Sequence, residues 1–263
     1  MNLGLSGKNF LVTAASKGLG FSIARELLRE GGRVMISSHS AKNLADAAQR
    51  LWNEGLEDFQ TTVADLGKAD EIEELVRETH ATFGRIDGLV TNCGGPPAGP
   101  PLEITDEKWQ SAFDSVFLSV VRLCRLVVPG MIAQGGGAIL AIVSTTVKQP
   151  IENLTTSNAL RPAVVGYLRY LADEVAEKNV RINTVAPGRI LTERTQELDA
   201  ALAARTGKSV SEVRAESAAE IPMKRLGDIG EFPALCAFLL SPLASYITAQ
   251  TFCIDGGRVQ SLF

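Results

Sequence analysis

The sequence has few of the residues that disulfide scaffolds, metal centres and nucleic-acid-binding surfaces require. Only two histidines are present, His39 and His80, so we expect no metal site. The net charge of −4 argues against nucleic acid as a partner, because that binding depends on basic surfaces. The four cysteines form no CxxC pair and lie far apart, which is typical of free thiols in a reducing compartment: Cys93, Cys124, Cys236 and Cys253. Small molecules and other protein subunits are therefore the expected partners.

Long apolar runs and targeting segments are also scarce. The longest apolar stretches, such as residues 138–143, are far short of a membrane span. The N-terminus carries Lys8 beside its apolar run and lacks a small-residue cleavage pattern. We therefore predict no signal peptide, no membrane partner and a cytoplasmic protein. Aromatic residues make up only 6% of the chain, which argues against flat polycyclic substrates and sugar stacking.

The chain does contain a regular alternation of β-rich runs and longer amphipathic stretches. Most of the β-rich runs are near-continuous apolar segments, which suits strands buried on both faces. We predict seven strands, at residues 9–13, 33–37, 59–64, 88–92, 138–144, 181–185 and 251–254. We predict six main helices between them, at residues 19–30, 41–53, 69–83, 106–133, 158–178 and 229–240.

Regular β-α alternation implies parallel strands that are joined by helical crossovers. The expected fold is therefore a single α/β domain over residues 1–263, with a doubly wound, mostly parallel seven-stranded sheet of the Rossmann type. Two segments interrupt the alternation. Segment 94–101 is rigid and non-helical, and is either a plain connector or a wall of a substrate pocket. Segment 192–221 is an extra polar helical pair, which we interpret from its position as a substrate lid rather than decoration.

A loop with two glycines joins the first strand to the first helix. Gly18 and Gly20 allow the backbone to approach a pyrophosphate closely, and the helix N-terminus offers free N–H groups and partial positive charge. We therefore predict that a dinucleotide binds to this loop, formed by Thr13, Ala15, Ser16, Lys17, Gly18, Leu19 and Gly20.

The end of the second strand carries no acid. NAD enzymes usually place a carboxylate there for the ribose 2′-hydroxyl, and that carboxylate would repel a 2′-phosphate. Here Ser38 and His39 occupy the position and can accept a phosphate, and Lys17 can add a cation. Lys17 and His39 can each be plain surface residues, but together with the missing acid they favour NADP(H) over NAD(H).

The glycine loop resembles the Thr-Gly-x-x-x-Gly-x-Gly loop of the short-chain dehydrogenase/reductase family, with Ala14 in place of the first glycine. Further segments resemble the motifs of this family, in the family's order, along nearly the whole chain: residues 65–66, 91–94, 183–188, 221–227 and 255–257. The resemblance implies an adenine pocket after the third strand, a cofactor wall after the fourth and a nicotinamide site after the sixth. These three sites comprise Ala64, Asp65 and Leu66, then Asn92, Cys93 and Gly94, then Pro187, Gly188, Ile190 and Thr192.

The resemblance also implies a catalytic set and a homo-oligomer. The family uses a Ser, a Tyr thirteen residues later and a Lys four residues after the Tyr; the same spacing from Ser144 reaches Ser157 and Arg161. Ser144 then binds the substrate oxygen, although a Ser at a strand end can also be a plain hydroxyl. Arg161 keeps the positive charge and is predicted to bind the nicotinamide ribose. Val116 stands where the family has its relay Asn. Family members pair through the two long helices and build tetramers through the last strand.

The exchanged side chains leave three functions open. Ser157 is far less acidic than a phenol of pKa ~10, and Arg161 stays protonated. The prediction is a carbonyl reductase or dehydrogenase in which Ser144, Ser157 and Asn158 bond the developing alkoxide, and Lys148, Arg161 or water delivers the proton. The alternative is a dinucleotide sensor or partner subunit without chemistry. The third function is a cofactor-free lyase, since halohydrin dehalogenases resemble this family and carry the Arg, although they keep the Tyr.

Overall fold

A parallel β-sheet forms the centre of the computed structural model, which describes residues 2–262. Its spatial order is β3-β2-β1-β4-β5-β6-β7, and all six pairings are parallel. The strands are β1 (Asn9–Val12), β2 (Arg33–Ser38), β3 (Phe59–Val63), β4 (Gly88–Thr91), β5 (Gly137–Ile142), β6 (Val180–Pro187) and β7 (Thr251–Ile254). The predicted doubly wound α/β fold is confirmed, and the sheet is wholly parallel among the described strands rather than mostly so.

Helices cover both faces of the sheet. They are α1 (Gly18–Arg29), α2 (Ala41–Asn53), α3 (Ala69–Phe83), α4 (Asp106–Ala112), α5 (Ser119–Ala133), α6 (Thr155–Val175), α7 (Glu193–Thr206), α8 (Val210–Ala219) and α9 (Pro233–Leu240). Successive strand residues point to opposite faces, so Leu11 packs in the core beneath α3, α5 and α6, while Phe10 and Val12 pack in the core beneath α1, α2 and α9.

One helical rod has the predicted bounds, residues 106–133, but is more apolar than the sequence analysis expected. The helices α4 and α5 are continuous through a π-helical turn, Phe113–Leu118, so that the rod spans Asp106–Ala133. By length and composition alone this rod could cross a membrane, so the expectation that no stretch reaches that length was wrong here. Its inward face, with Val116, Leu123 and Val127, is buried against the sheet. Burial of this kind is what the core helix of a globular domain shows.

The sheet order reverses between β1 and β4, and this reversal places the candidate site. In a doubly wound sheet, the loops after the carboxyl ends of the strands part at such a point and leave a crevice. The loops that follow β1, β2, β4, β5 and β6 all lie at this edge. The predicted helical pair of residues 192–221 is observed as α7 and α8, inserted between β6 and α9.

Candidate active site

The glycine loop after β1 is closely packed against the loop after β4. The Thr13 hydroxyl donates to the Asn92 carbonyl at 2.7 Å and accepts the Asn92 N–H at 3.0 Å. The Asn92 amide donates to the Ala14 carbonyl at 3.0 Å, and Ala14 adopts a φ of 46°, in the left-handed region that favours glycine. These bonds hold Ala14 in the conformation that the family's glycine would adopt freely.

The loop forms a backbone surface around Gly20, here called the glycine cradle, where only glycine has room. A Cβ on Gly20 would lie 2.6 Å from the Ala14 carbonyl oxygen and 2.8 Å from the Asn92 amide nitrogen. A Cβ on Gly94 would meet nothing within 4 Å, so the backbone beside Asn92 and Cys93 faces open space. The loop is closely packed underneath and faces open space beside it. This arrangement of residues fits a dinucleotide whose pyrophosphate lies at the N-terminus of α1.

The end of β2 is tied to the glycine loop by hydroxyl groups. Ser38 and Ser16 share a hydrogen bond between their hydroxyls at 3.0 Å, and Ser38 also accepts the Ser40 N–H. Ser38 is buried, whereas Lys17 and His39 are exposed on either side of it. The structure thus brings the predicted 2′-phosphate residues together, with a hydroxyl pair at the base and two basic side chains at the surface.

The predicted adenine pocket follows β3. Ala64 and Leu66 are buried, and the Asp65 carboxylate accepts the Gly67 N–H at 2.9 Å, which shapes the turn. The Asp65 N–H donates to Glu71 at 2.7 Å. Hydrogen bonds from Lys68 and from this N–H lower the pKa of Glu71 below its ordinary value, so the carboxylate that fixes the turn stays ionised.

The segment after β6 contains the residues that were predicted for the nicotinamide site and leads to α7. Pro187 ends β6, and a Cβ on Gly188 would lie 2.7 Å from the Asp255 Cα, so glycine is required where the segment passes the loop after β7. Ile190 is buried and forms a parallel bridge with Gly227. The Thr192 hydroxyl accepts the Thr195 N–H and caps α7, and the Thr192 side chain lies beside Gly18 of the glycine loop.

Ser144 offers a free donor at the carboxyl edge. Its Oγ accepts the Thr146 N–H at 3.2 Å and so caps a short 3₁₀ turn after β5. A hydroxyl carries one proton and two lone pairs, so this bond leaves the proton of Ser144 available for another acceptor. Because Ser144 is only half-buried, that acceptor can be a substrate oxygen.

Ser157 and Asn158 lie at the start of α6 with their polar atoms already bonded within the chain. The Ser157 hydroxyl lies 3.2 Å from that of Thr146, and Ser157 is buried. The Asn158 amide accepts the Ile151 N–H at 3.0 Å and donates to the Ile151 carbonyl at 2.9 Å. In this structure both residues shape the β5–α6 loop, and their role as donors to a substrate stays a prediction.

Arg161 points into the sheet edge rather than into solvent. The side chain donates to the Ile142 carbonyl at 2.7 Å, and its other terminal nitrogen lies 3.8 Å from the Cys93 sulfur. Arg161 is only 8% exposed, and no carboxylate of the described chain lies within ion-pair distance of it. A buried and unpaired guanidinium is unfavourable, so its hydrogen bonds must fix it firmly in this place.

Sequence reasoning missed one polar group beside Arg161. Thr91, the last residue of β4, is buried, and its hydroxyl has no hydrogen-bond partner among the described residues. Thr91, Val116 and Arg161 line a cavity of about 10 Å³, which is close to the smallest space that holds one water. The only sequence signal was the position of Thr91, directly before Asn92.

A second polar group, Lys148, follows Ser144 in the chain. Lys148 is half-buried in the turn that follows the 3₁₀ segment. Burial raises the pKa of the Cys253 thiol, Asp255 raises it further, and Lys148 opposes both. The role of Lys148 as a proton donor stays a prediction.

A cavity of about 560 Å³ opens between the sheet edge and the helices α7 and α8. Loop segment 94–101 contributes Ala98, Gly99 and Pro100 to its wall, which fits the pocket-wall interpretation of that loop. The β5–α6 loop contributes Thr145 and Gln149, and α7 contributes Leu198 and Leu202. Sequence reasoning did not single out three arginines of this wall, because they belong to no motif: Arg189, Arg205 and Arg258.

Comparison with known proteins gives consistent relatives over the full length. The family model described as "Enoyl-(Acyl carrier protein) reductase" matches residues 13–258. The dehydrogenase/reductase SDR family member 4 of Bos taurus is 35% identical over 260 residues, which covers 98% of this chain and 89% of that protein.

Solved structures of similar proteins contain both nicotinamide cofactors. L-Sorbose reductase from Gluconobacter frateurii, in complex with NADPH and L-sorbose, superposes with a TM-score of 0.94 at 30% identity and full coverage of both chains. A 7α-hydroxysteroid dehydrogenase in complex with NADH and 7-oxo-glycochenodeoxycholic acid has a TM-score of 0.89 at 28% identity, covering 100% of this chain and 98% of that one. The seven-stranded parallel architecture is thus shared with oxidoreductases that bind a dinucleotide.

Proposed function

The chain belongs to the short-chain dehydrogenase/reductase family, and from this premise we propose that it transfers a hydride between NADP(H) and a small carbonyl/alcohol substrate. One observation carries the proposal: the glycine cradle after β1 and the free hydroxyl of Ser144 after β5 lie at the same edge of the sheet. Hydride transfer requires cofactor and substrate to be held together, and this edge offers a binding element for each.

NADP(H) is the cofactor favoured by the groups at the end of β2. Ser38 and Ser16 present hydroxyls, Lys17 and His39 are basic and exposed, and no acid lies at this strand end. A 2′-phosphate would gain hydrogen bonds and charge attraction there. The NADPH complex of L-sorbose reductase is in keeping with this preference, although the NADH complex of the steroid dehydrogenase shows that the fold accommodates either cofactor.

In the proposed reduction, the chain supplies position and a proton. NADPH, when bound, supplies the hydride to the carbonyl carbon. Ser144 donates its free O–H to the carbonyl oxygen and stabilises the negative charge that develops there. Lys148 or a water molecule delivers the proton that completes the alcohol, and oxidation runs by the same steps in reverse. Arg161 supports the nicotinamide end of the site from beneath, through its bonds to the Ile142 carbonyl and Cys93.

This proton path differs from that of the family's Ser, Tyr and Lys set, because Ser157 and Arg161 stand at the Tyr and Lys positions. No tyrosine replaces the missing phenol from elsewhere in the chain. Tyr170 and Tyr246 are exposed, and Tyr167 is half-buried and packs edge-on against Phe117 between the long helices. The chemistry therefore depends on a weaker acid, which is compatible with a slow or specialised reductase.

The 560 Å³ cavity is the proposed substrate site. Its volume suits a small molecule, its wall mixes apolar side chains with amides and charges, and no aromatic residue of the described chain lines it. A polar aliphatic carbonyl compound fits this lining better than a flat polycyclic one.

One observation favours a second function, in which the chain binds a dinucleotide without chemistry. Ser157 bonds Thr146, and Asn158 is closed onto Ile151, so two of the three proposed oxyanion donors are already engaged. A sensor or partner subunit would need the cofactor loop but not these donors.

Homo-oligomerisation and a cytoplasmic location complete the proposal. An apolar face formed by Phe113, Phe117, Tyr167 and Tyr170 on the long helices supports pairing between copies. The four free cysteines of the described chain are in keeping with a reducing compartment.

The test is a titration of the purified full-length protein with NADPH and with NADH, followed by nicotinamide fluorescence. We expect micromolar binding of NADPH, at least about tenfold weaker binding of NADH, and NADPH oxidation with some member of a carbonyl panel. The panel contains L-sorbose, 7-oxo-glycochenodeoxycholic acid and small aliphatic ketones. If neither cofactor binds, the reductase proposal is wrong; if NADPH binds but no carbonyl oxidises it, the non-catalytic function is supported.

A single substitution at the end of β2 tests the preference for NADPH over NADH. Ser38→Asp introduces the carboxylate that would repel a 2′-phosphate and bind a ribose 2′-hydroxyl. We expect the ratio of NADPH to NADH affinity to fall by at least about tenfold, because charge repulsion replaces a hydrogen bond. Ser40→Asp, two residues further on, serves as the matched control. If the ratio in Ser38→Asp equals that of the wild type, the 2′-phosphate assignment fails.

A further inference from the structure

The lid helices contain one carboxylate that solvent does not reach. The Asp199 side chain, in the middle of α7, is fully buried, whereas Glu193 and Glu197 of the same helix are exposed. Burial of a charged carboxylate is strongly unfavourable unless it is paired and hydrogen-bonded. Asp199 therefore depends on its partners, and these partners come from two other segments.

Two guanidinium groups share the Asp199 carboxylate. The Arg189 side chain donates to one oxygen, and the Nε of Arg214 donates to the other at 3.0 Å. Arg189 directly follows the Pro187–Gly188 pair after β6, and Arg214 lies on α8. One carboxylate thus joins both lid helices to the segment that leads from the nicotinamide side of the site.

Arg189 belongs to the body of the domain rather than to the lid. The Gly227 N–H donates to the Arg189 carbonyl at 2.9 Å, and the Leu191 N–H donates to the Gly227 carbonyl at 2.9 Å. These bonds fix the Arg189 backbone from both sides. The ion pair therefore attaches α7 and α8 to a segment whose backbone is fixed by the body of the domain.

The attachment decides which face of α7 covers the cavity. Leu198, Ala201, Leu202 and Arg205 line the 560 Å³ cavity, and their spacing places them along one face of the helix. Asp199 lies beside this face and is directed to Arg189, which lines the same cavity. Rotation or release of α7 would remove these residues from the wall.

We propose that Asp199 is a positioning residue for the substrate site: paired with Arg189 and Arg214, it holds α7 and α8 over the cavity. Asp199 itself touches neither substrate nor cofactor and acts through the two arginines. The inference rests on the proposed function, since the cavity is a substrate site only if the chain acts on a carbonyl compound.

The test compares Asp199→Asn with Glu197→Gln in the full-length protein by hydrogen–deuterium exchange. Asn keeps the shape of Asp but leaves two guanidinium groups without an anion. We expect amide exchange in residues 193–219 to accelerate by at least about tenfold in Asp199→Asn, while exchange in β1, β4 and β5 stays as in the wild type. Glu197→Gln removes an exposed acid of the same helix, paired with Arg194 at 3.4 Å, and should exchange like the wild type.

A second pair of variants keeps the proposal testable if Asp199→Asn does not fold. Arg214 is partly exposed, so its replacement does not leave a cavity. Arg214→Gln should accelerate exchange in the lid, and Arg214→Lys, which keeps the cation, should restore slow exchange. With the panel carbonyl of highest turnover, Arg214→Gln should raise KM by at least about tenfold and change kcat less than about twofold.

Three results would overturn the proposal. They are unchanged exchange of residues 193–219 in both Asp199→Asn and Arg214→Gln, equal acceleration in Glu197→Gln, and acceleration spread evenly over the sheet. The NADPH titration of the wild type tests the proposed function separately. If the wild type binds no NADPH while the lid exchange responds as expected, the lid attachment stands and the assignment of the cavity to a carbonyl substrate falls.

Discussion

At the carboxyl edge of the sheet, one serine hydroxyl is free to donate and another is already hydrogen-bonded. Ser144 accepts one backbone N–H and keeps its proton, whereas Ser157, which lies in the Tyr position, is buried against Thr146. A hydroxyl that is already hydrogen-bonded within the chain can donate to a substrate only after that hydrogen bond is broken. The proposed oxyanion donor is therefore Ser144, whose proton has no acceptor among the described residues.

Replacement of Ser144 tests this assignment. We expect Ser144→Ala to reduce carbonyl turnover by about 10²–10³-fold, the usual loss when one oxyanion donor is removed. NADPH affinity should stay within twofold of the wild type, about the scatter of such measurements, because the hydroxyl binds substrate rather than cofactor. Steady-state kinetics and fluorescence titration measure the two effects, and Ser245→Ala, on the exposed surface, is the control. Unchanged turnover would mean that Ser144 is a plain strand-end hydroxyl.

Tyr167 gives a prediction for alkaline pH. Burial raises the pKa of Tyr167 to about 12, with a smaller contribution from Cys124. Below pH ~10 this tyrosine is neutral in both folded and unfolded chains, and its contribution to stability is complete. As the pH rises from about 10 to about 12, the unfolded chain ionises first, and that contribution is lost.

Phenolate absorbance after a pH jump, recorded before the chain unfolds, should therefore show one late-titrating tyrosine. Tyr167→Phe should remove this step, and Tyr246→Phe, which changes a fully exposed ring, should leave it in place. Survival of the late step in Tyr167→Phe would contradict the assignment.

At the scale of elements, the cofactor loop works as a pair of interlocked turns. Thr13 and Asn92 bond each other reciprocally, and Asn92 holds Ala14 at a positive φ. Neither the turn after β1 nor the turn after β4 would keep its shape alone. A Cβ on Gly94, in the second of these turns, would meet nothing within 4 Å.

Gly20→Ala should disrupt the contact between the turn after β1 and the turn after β4. The added Cβ would lie 2.6 Å from one backbone atom of Ala14 and 2.9 Å from one of Ala15, so the loop must move. Overpacking of this kind costs about 1–3 kcal/mol, and if the whole cost falls on the bound state, NADPH affinity drops by about fivefold to 150-fold. The control is Gly55→Ala, where φ is +74° and a Cβ would meet nothing within 4 Å. It should lower the unfolding temperature without changing affinity; equal affinity in Gly20→Ala would refute the prediction.

At the scale of the whole molecule, one apolar surface on the long helices stays partly exposed in the described chain. Phe113 and Phe117 stack at 5.4 Å, and Tyr170 is 68% exposed on the neighbouring helix α6. Exposed apolar patches of this kind mark protein–protein contacts. The proposed homo-oligomer would bury this surface.

Light scattering on the purified protein tests the assembly. We expect a mass of at least two chains of 28.1 kDa, and a single-chain mass for Tyr170→Glu, because a carboxylate at a buried contact is unfavourable. Trp52→Glu changes another exposed aromatic residue, on α2, and should keep the wild-type mass. A single-chain wild type would rule out the oligomer.

Much of the fold could be predicted because the signals are local. Apolar runs, helical spacing and glycine turns lie within a few residues of one another, and each predicted strand ends within two residues of its observed bounds, as β5 and β6 show. The apolar rod formed by α4 and α5 shows the limit of such reasoning. Helical spacing predicts a core helix with these bounds, but length and composition also fit a membrane span, and the packing against the sheet decides between the two.

The sequence by itself determined which functional residues follow which strand: a cofactor loop after β1, hydroxyls after β2 and a serine after β5. Tertiary structure alone decided which of these polar groups are free. Asn158 is closed onto a residue seven positions away, Thr13 is bonded across 79 positions, and Asp199 joins Arg189 to Arg214. Hydrogen bonds and ion pairs are satisfied in space, between segments that folding brings together, so no pattern along the chain states whether a given proton or charge is already in use.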